Sequence, residues 1–310
     1  NSFIVASPDI QLKEIKLGRD HACALTFSGK AYCWGQNDYG RLGNGQLTSS
    51  GSTSSPQLVV GDHTFKTIAP SLAHTCALLT TGEAYCWGYS YRNGHGVNIA
   101  VPRQVNGTDS LQFVSIGTGD YHSCALATTK VVYCWGSQVD GKLGNNRTGG
   151  ETSRATAIAD FVAEELAVGA NHACARTEDG AVYCWGQNFG RVPTKIDGTA
   201  VFTQISAGRY GACGITVDAD LYCWRETGGT PANNTPMLIG EGYVRVEVLG
   251  SEVYAQTPSG EWHVVKRGSS PQPVIESFAI KEVFARNYNP TTVCAIRAED
   301  NLGYCWGSNR

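Results

Sequence analysis

Twelve cysteines stand as six pairs in this 310-residue chain, and thiols so placed have two chemistries open to them, oxidation to disulfides or metal ligation. The pairs are Cys23 with Cys33, Cys76 with Cys86, Cys124 with Cys134, Cys174 with Cys184, Cys213 with Cys223, and Cys294 with Cys305. Their members are ten residues apart except in the last pair, at eleven. No Cys-x-x-Cys occurs, and two thiolates per unit in separate units do not converge four to a site, which disfavours zinc. Bridges are expected in all six pairs, and persistent bridges belong to secreted or surface-exposed chains. His21, His74, His122 and His172 share one position, two residues before the first cysteine of a pair. A ring of imidazoles suits a metal site or a pH switch. The set is broken at Gly211 and Thr292, however, and a structural role is expected. Trp34, Trp87, Trp135, Trp185, Trp224 and Trp306 each follow a cysteine and read as core, whereas Trp262 is out of register and reads as exposed. The carboxylates Asp20, Asp120, Glu252 and Glu299 are scattered, and no nucleophile elbow, phosphate loop or His-Glu-x-x-His occurs. No catalytic residue, cofactor or metal site is expected, and the chain reads as a non-enzyme.

The elements that must hold these residues repeat. The fullest copy runs His21-Ala22-Cys23-Ala24-Leu25-Thr26, turns at Ser28-Gly29, and returns through Ala31-Tyr32-Cys33-Trp34-Gly35. Copies start near Cys23, Cys76, Cys124, Cys174, Cys213 and Cys294. The long gap before Cys294 accommodates a cysteine-free seventh copy over residues 251–265, with Tyr254 and Val264 in the cysteine positions and Gly260 at the turn. Short segments rich in Tyr, Trp, Val and Ala between Gly turns are hairpins. If Cys23 faces Cys33, the loop is Phe27-Ser28-Gly29, with glycine at the position that requires φ > 0. Gly82, Gly180 and Gly260 match it. Alternation puts Ala22, Ala24, Tyr32 and Trp34 on one face and Cys23, Leu25, Ala31 and Cys33 on the other. Both faces read as buried, which suits sheets stacked radially in an all-β, seven-bladed β-propeller. Each unit continues through a Gly-Arg-Leu-Gly element, as at residues 40–43, to an outer strand such as 56–60. Residues 46–55 read as a mobile Ser/Thr/Gly loop, and 159–167 as ambiguous between helix and strand. The last unit lacks its second half. The first twelve residues, with Phe3-Ile4-Val5 and Pro8, resemble that half and are expected to complete the last blade. Residues 1–310 are then one propeller domain.

The string His-x-Cys-Ala-Leu, then Gly-x-x-Tyr-Cys-Trp-Gly, then Gly-x-Leu-Gly resembles the repeat of the regulator of chromosome condensation family, over essentially the whole chain. That family's fold is a seven-bladed propeller. The paired cysteines depart from its nuclear members and resemble the ectodomains of Crinkly-type receptor kinases and secreted bacterial relatives. The family hosts guanine-nucleotide exchange, photoreception, inhibition and receptor ectodomains, so the resemblance does not by itself assign a function.

The balance of 24 Lys and Arg against 27 Asp and Glu, a net charge of -3, provides no general attraction to phosphate backbones, and nucleic acid is not an expected partner. No stretch reads as a membrane span, so no membrane insertion is expected. Sequons begin at Asn106, Asn146 and Asn233 and are candidate glycosylation sites. Loops carry variation on rigid scaffolds. Those before each first cysteine differ from unit to unit, and Tyr121, Arg209, Tyr210 and Tyr288 are the expected contacts, being residue types favoured in interfaces. The sequence therefore reads as an extracellular binding module for a protein or glycan. Its alternatives are an intracellular exchange factor or chromatin adaptor like the nuclear relatives, a structural subunit of an extracellular assembly, and an enzyme with an acidic cation site at the channel mouth.

Overall fold

Opposed cysteines set the register of every bridged hairpin. In the computed structural model, which describes residues 3–4, 11–225, 227, 229–230, 232–274, 279–285 and 292–307, Cys23 faces Cys33 directly across the strands His21–Thr26 and Ala31–Gln36. Cys76 faces Cys86 in the same way, and Cys124 faces Cys134. Cys174 stands opposite Cys184, Cys213 opposite Cys223, and Cys294 opposite Cys305. The Cα atoms of these six pairs lie 4.0–4.1 Å apart, the close spacing of a non-hydrogen-bonded antiparallel pair. All six expected bridges are formed. At the hairpin tip, Thr26 N–H bonds Lys30 O and leaves a three-residue loop. Its last residue is left-handed: Gly29 (φ 79°), Gly82 (99°), Gly180 (78°) and Gly260 (91°). Lys130 (φ 68°) and Ala219 (φ 64°) fill the same place without glycine's freedom. The eleven-residue spacing in the last unit is absorbed in a longer tip ending at Asn301 (φ 57°).

An inner strand precedes each hairpin and an outer strand follows it, giving seven four-stranded antiparallel sheets. In blade 1 these are Leu12–Leu17 and Ser52–Leu58. In blade 7, Ile280–Ala285, Thr292–Arg297 and Gly303–Gly307 are completed by Phe3–Ile4, with Phe3 opposite Cys305. The first residues of the chain thus supply the last blade's outer strand, as expected. Among the described residues the helical content is one 3-10 turn, Val139–Gly141.

Packing between blades follows from the two faces of the hairpin. The bridged face of one blade receives the small and aromatic residues of the next: Cys23, Leu25 and Cys33 pack on Ala77 and Trp87. Cys76 and Cys86 meet Ala125 and Trp135, and Cys124 and Cys134 meet Ala173 and Trp185. Cys174 and Cys184 meet Ala212 and Trp224, while Cys213 and Cys223 pack on Val253 and Ala255 of the cysteine-free blade. Cys294 of blade 7 meets Ala24 and Trp34 of blade 1, which closes the ring. Trp87, Trp135, Trp185 and Trp224 are fully buried, so truncating any of them to alanine costs about 3–5 kcal/mol.

Three expectations need correction. Trp262 is buried, 2% exposed; it sits two residues before Val264, so alternation aims it at blade 7, where it packs with Ile280, Val283 and Val293 in place of a bridge. The outer strand of blade 1 is Ser52–Leu58, so the Ser/Thr/Gly run is half strand; at a largely exposed outer edge, strand pairing needs no apolar residues. Residues 159–167 belong to two strands, Glu151–Val162 and Glu165–Val168, whose separate alternations had overlapped into an apparent helical period. The seventh copy is as expected, with Tyr254 opposite Val264.

Candidate binding face at the channel mouth

The loops between inner and second strands meet their neighbours in a collar. Arg19 N–H bonds Ser71 O at 3.0 Å, Asp120 N–H bonds Ala170 O at 2.7 Å, Ala170 N–H bonds Gly208 O at 3.0 Å, and Arg209 N–H bonds Gly250 O at 2.7 Å. This close approach requires glycine: a Cβ at Gly169 would lie 2.5 Å from Gly208 O, and one at Gly208 only 2.3 Å from Gly250 O. The collar surrounds a central channel of about 410 Å³ lined by the inner strands.

Beneath the collar lie the four histidines, all buried. His21 Nε2 is 2.8 Å from Thr75 Oγ1, and His74 Nε2 is 2.8 Å from Ser123 Oγ. Thr75 and Ser123 donate their own hydrogens to Arg41 O and Arg92 O, so each imidazole must donate through Nε2. His74 Nδ1 then accepts from Ser71 Oγ at 2.8 Å. His21 and His74 therefore pin blade 1 to blade 2 and blade 2 to blade 3 through a hydroxyl. Ala173 and Ala212 stand at that hydroxyl's position in blades 4 and 5, and Nε2 of His122 and of His172 has no hydrogen-bond partner. Burial pushes His21 and His122 down to about 3 and His172 down to about 4, and it holds His74 well below the usual range. All four are neutral at physiological pH.

On the outer side of the collar, arginines and tyrosines interleave. The Arg92 guanidinium lies 4.6 Å from the Tyr89 ring centre and 4.3 Å from that of Tyr121, within cation–π range of both. Arg209 lies 5.2 Å from the Tyr210 ring. Arg41 is buried and donates to Leu72 O at 2.9 Å and to Asp38 O at 3.1 Å. Lys142, also buried, reaches Val139 O and Asp140, each at 3.0 Å. Burial raises the Asp120 carboxyl to about 7, although Arg209, Arg19, Arg92 and Lys142 all act to lower it.

Of the four residues singled out from sequence, Tyr121 and Tyr210 are exposed at 39% and 42%, and with Arg209 they belong to this face. Tyr288 lies outside the described residues. Arg92, Tyr89, Arg41 and Lys142 were missed because they come from the loops before the outer strands. The available signal was a basic residue recurring in Gly-Arg-Leu-Gly, Arg-Asn-Gly and Gly-Lys-Leu-Gly. Sequon residues Asn106, Asn146 and Asn233 are all exposed, but Thr108 is buried and its hydroxyl donates to Val105 O at 2.7 Å.

Charge in the channel concentrates where the ring closes. Glu14 and Lys16 of blade 1 face Arg245 and Glu247 of blade 6 and Glu282 of blade 7. Arg245 reaches Glu247 at 3.5 Å and Glu282 at 3.6 Å, and Thr67 donates to Glu14 at 3.0 Å. Burial raises the Glu14 pKa. For Lys16, burial acts downward but Glu14, Glu247 and Glu282 outweigh it, and its pKa rises. The cations divide the carboxylates, and among the described residues no group of three His, Cys, Asp or Glu side chains is arranged to hold a metal ion. No helix among them is long and apolar enough to cross a membrane.

Comparison with known proteins agrees with the repeat. The family model for the regulator of chromosome condensation (RCC1) repeat matches residues 13–41, 68–96, 113–142 and 164–190, and a second model of the same repeat matches 28–78. The probable E3 ubiquitin-protein ligase HERC4 of Homo sapiens is 30% identical over 169 residues, covering 52% of this chain but only 16% of the ligase. The crystal structure of Kap60 bound to yeast RCC1 (Prp20) superposes with a TM-score of 0.75 at 17% identity, covering 96% of this chain and 80% of that one. The CRINKLY WD40 ectodomain of the Arabidopsis thaliana receptor kinase ACR4 superposes with a TM-score of 0.63 at 21% identity, covering 96% of each chain. At these identities the two superpositions establish the fold. With the repeat matched in blades 1 to 4, this chain carries the repeat of the regulator of chromosome condensation family on a seven-bladed propeller bridged in six blades.

Proposed function

We propose that the chain is an extracellular binding module that recognises a protein through the collar face. The observation that carries this reading is the cluster of exposed tyrosines and the arginines beside them on loops held by a rigid, bridged scaffold. Tyrosine and arginine provide large contact area at low ordering cost and dominate interface energetics. The extracellular placement rests on six bridges and no free cysteine among the described residues, a pattern that reducing compartments do not maintain. The ACR4 ectodomain has the same fold, and yeast RCC1 (Prp20), of similar fold, has been seen bound to a protein, Kap60, which supports a protein partner. A glycan ligand has less support, because Trp34, Trp87, Trp135, Trp185, Trp224 and Trp262 lie in the core or against it.

Two experiments test the reading. Intact mass after alkylation of protein from its native source should show twelve added groups only after reduction; twelve without reduction would place the chain in a reducing compartment and sink the extracellular assignment. A photo-crosslinking residue at Tyr121 or Tyr210 should capture a protein from the extracellular fraction, whereas one at Phe27, on the opposite hairpin tips, should not. Capture at Phe27 alone would move the binding face to the other side.

A further inference from the structure

Arg92 is held as a ready-made receptor for an oxyanion. Cation–π contacts to Tyr89 and Tyr121, at 4.6 and 4.3 Å, hold its guanidinium in place. Its Nε is buried without a partner, and no described residue accepts a hydrogen bond from either terminal nitrogen, both of which remain in contact with solvent. A guanidinium so held, with an open fork, has already lost the rotamer freedom that bidentate binding normally costs. Arg41 and Lys142, in the corresponding loops of blades 1 and 3, instead spend their donors on Leu72 O, Asp38 O, Val139 O and Asp140, so of these three cations Arg92 is the one with open donors.

We infer that Arg92 anchors a carboxylate of an acidic segment in the protein partner, binding it bidentately at the collar beside Asp120. This rests on the protein-binding reading above and names the partner's chemistry. A carboxylate fits better than a polyphosphate chain because the whole molecule carries a net charge of -3 and the collar also presents Asp20, Asp38 and Asp140. These disfavour a long polyanion but leave room for one or two carboxylates. Asp120 then makes the site pH-sensitive. Around it stand Arg209, Arg19, Arg92 and Lys142 from four loops, together with the neutral His122, and of these groups the Asp120 carboxyl is the one that titrates near neutrality. Below its midpoint it is uncharged and can donate to an incoming carboxylate; above it, two like charges oppose each other.

The test uses the full chain and a fluorescein-labelled, C-terminally amidated hexapeptide with one glutamate among neutral residues, with anisotropy read at low salt near about pH 6 and about pH 8, on either side of the Asp120 midpoint. Wild type should bind several-fold more tightly at the lower pH. Arg92→Ala and Arg92→Lys should each weaken binding by about tenfold or more, since lysine does not offer the fork. Asp120→Asn should bind equally at both values. Thermal midpoints close to wild type confirm that the variants are folded, and Arg92→Lys is the decisive variant if Arg92→Ala is not. Absence of saturable binding, full binding by Arg92→Lys, or a pH response that survives Asp120→Asn overturns the inference. A phosphoserine hexapeptide bound more than about tenfold tighter would overturn the carboxylate assignment in favour of phosphate. Capture at Tyr121 or Tyr210 alongside failure of the peptide removes this anchor and leaves the protein-binding reading standing.

Discussion

His122 carries the same imidazole as His21 and His74 but faces Ala173, where they face a threonine and a serine. Replacing Ala173 with serine should restore the missing hydroxyl and raise stability by about 0.5–1.5 kcal/mol, measured by urea denaturation. Loss of stability would mean that the site is packed too tightly to accept an oxygen. The buried histidines also impose a pH dependence of known sign. His21, His122 and His172 are neutral in the fold down to about 3–4 and His74 is held well below its usual range, while in the unfolded chain each takes up a proton near about 6.5. Their contribution is therefore complete above that value and declines as pH falls through the window below it. Glu14, Glu165 and Asp120 have raised values and act in the opposite sense over part of the same window. A difference measurement isolates one imidazole: between about pH 6 and about pH 4, His122→Gln should lose stability less steeply than wild type, by about 1.4 kcal/mol per pH unit. Equal slopes would show that His122 titrates alike in both states.

The unit of construction is the bridged hairpin, and two of the places where it departs from pattern are informative. Ala219 occupies the left-handed position that glycine takes in four other hairpins, so Ala219→Gly should stabilise by about 1 kcal/mol, provided relief of backbone strain exceeds the added freedom of the unfolded chain. A lower thermal midpoint would show that chain entropy wins. Blade 6 keeps the register without the cysteines. Combining Tyr254→Cys with Val264→Cys should therefore close a seventh bridge, seen as two thiols that resist alkylation until reduced. A bridge closing a loop of this size contributes about 2–3 kcal/mol, partly offset here by the cavity left by Tyr254. Hairpins, bridges, turn glycines and the cysteine-free copy were all legible in the chain, because each depends on neighbours within a dozen residues. The outer strands were legible in part: the chain's start was placed in the last blade, but the bounds in blade 1 were not. Ser52–Leu58 lies at an exposed edge where pairing is made by backbone groups, and polar residues leave no alternation to read.

At the scale of the ring, each blade's bridged face is finished only by the next blade, and the last is finished by the chain's own beginning. Removing the first ten residues should lower the thermal midpoint of the entire domain in one cooperative transition; an unchanged midpoint would show that Phe3–Ile4 contributes nothing to closure. Periodicity alone determined the seven blades, the bridges and the face on which the variable loops gather, since cross-strand pairing and alternation are local rules applied repeatedly. Tertiary structure decided what those rules do not reach. It buried Trp262 against a neighbouring blade, gathered Glu14, Lys16, Arg245, Glu247 and Glu282 at the seam, and set Arg92 against Tyr89 and Tyr121. Those partners lie up to hundreds of residues apart in the chain, and it is the angle between blades that sets which side chains meet and which charges lose their water.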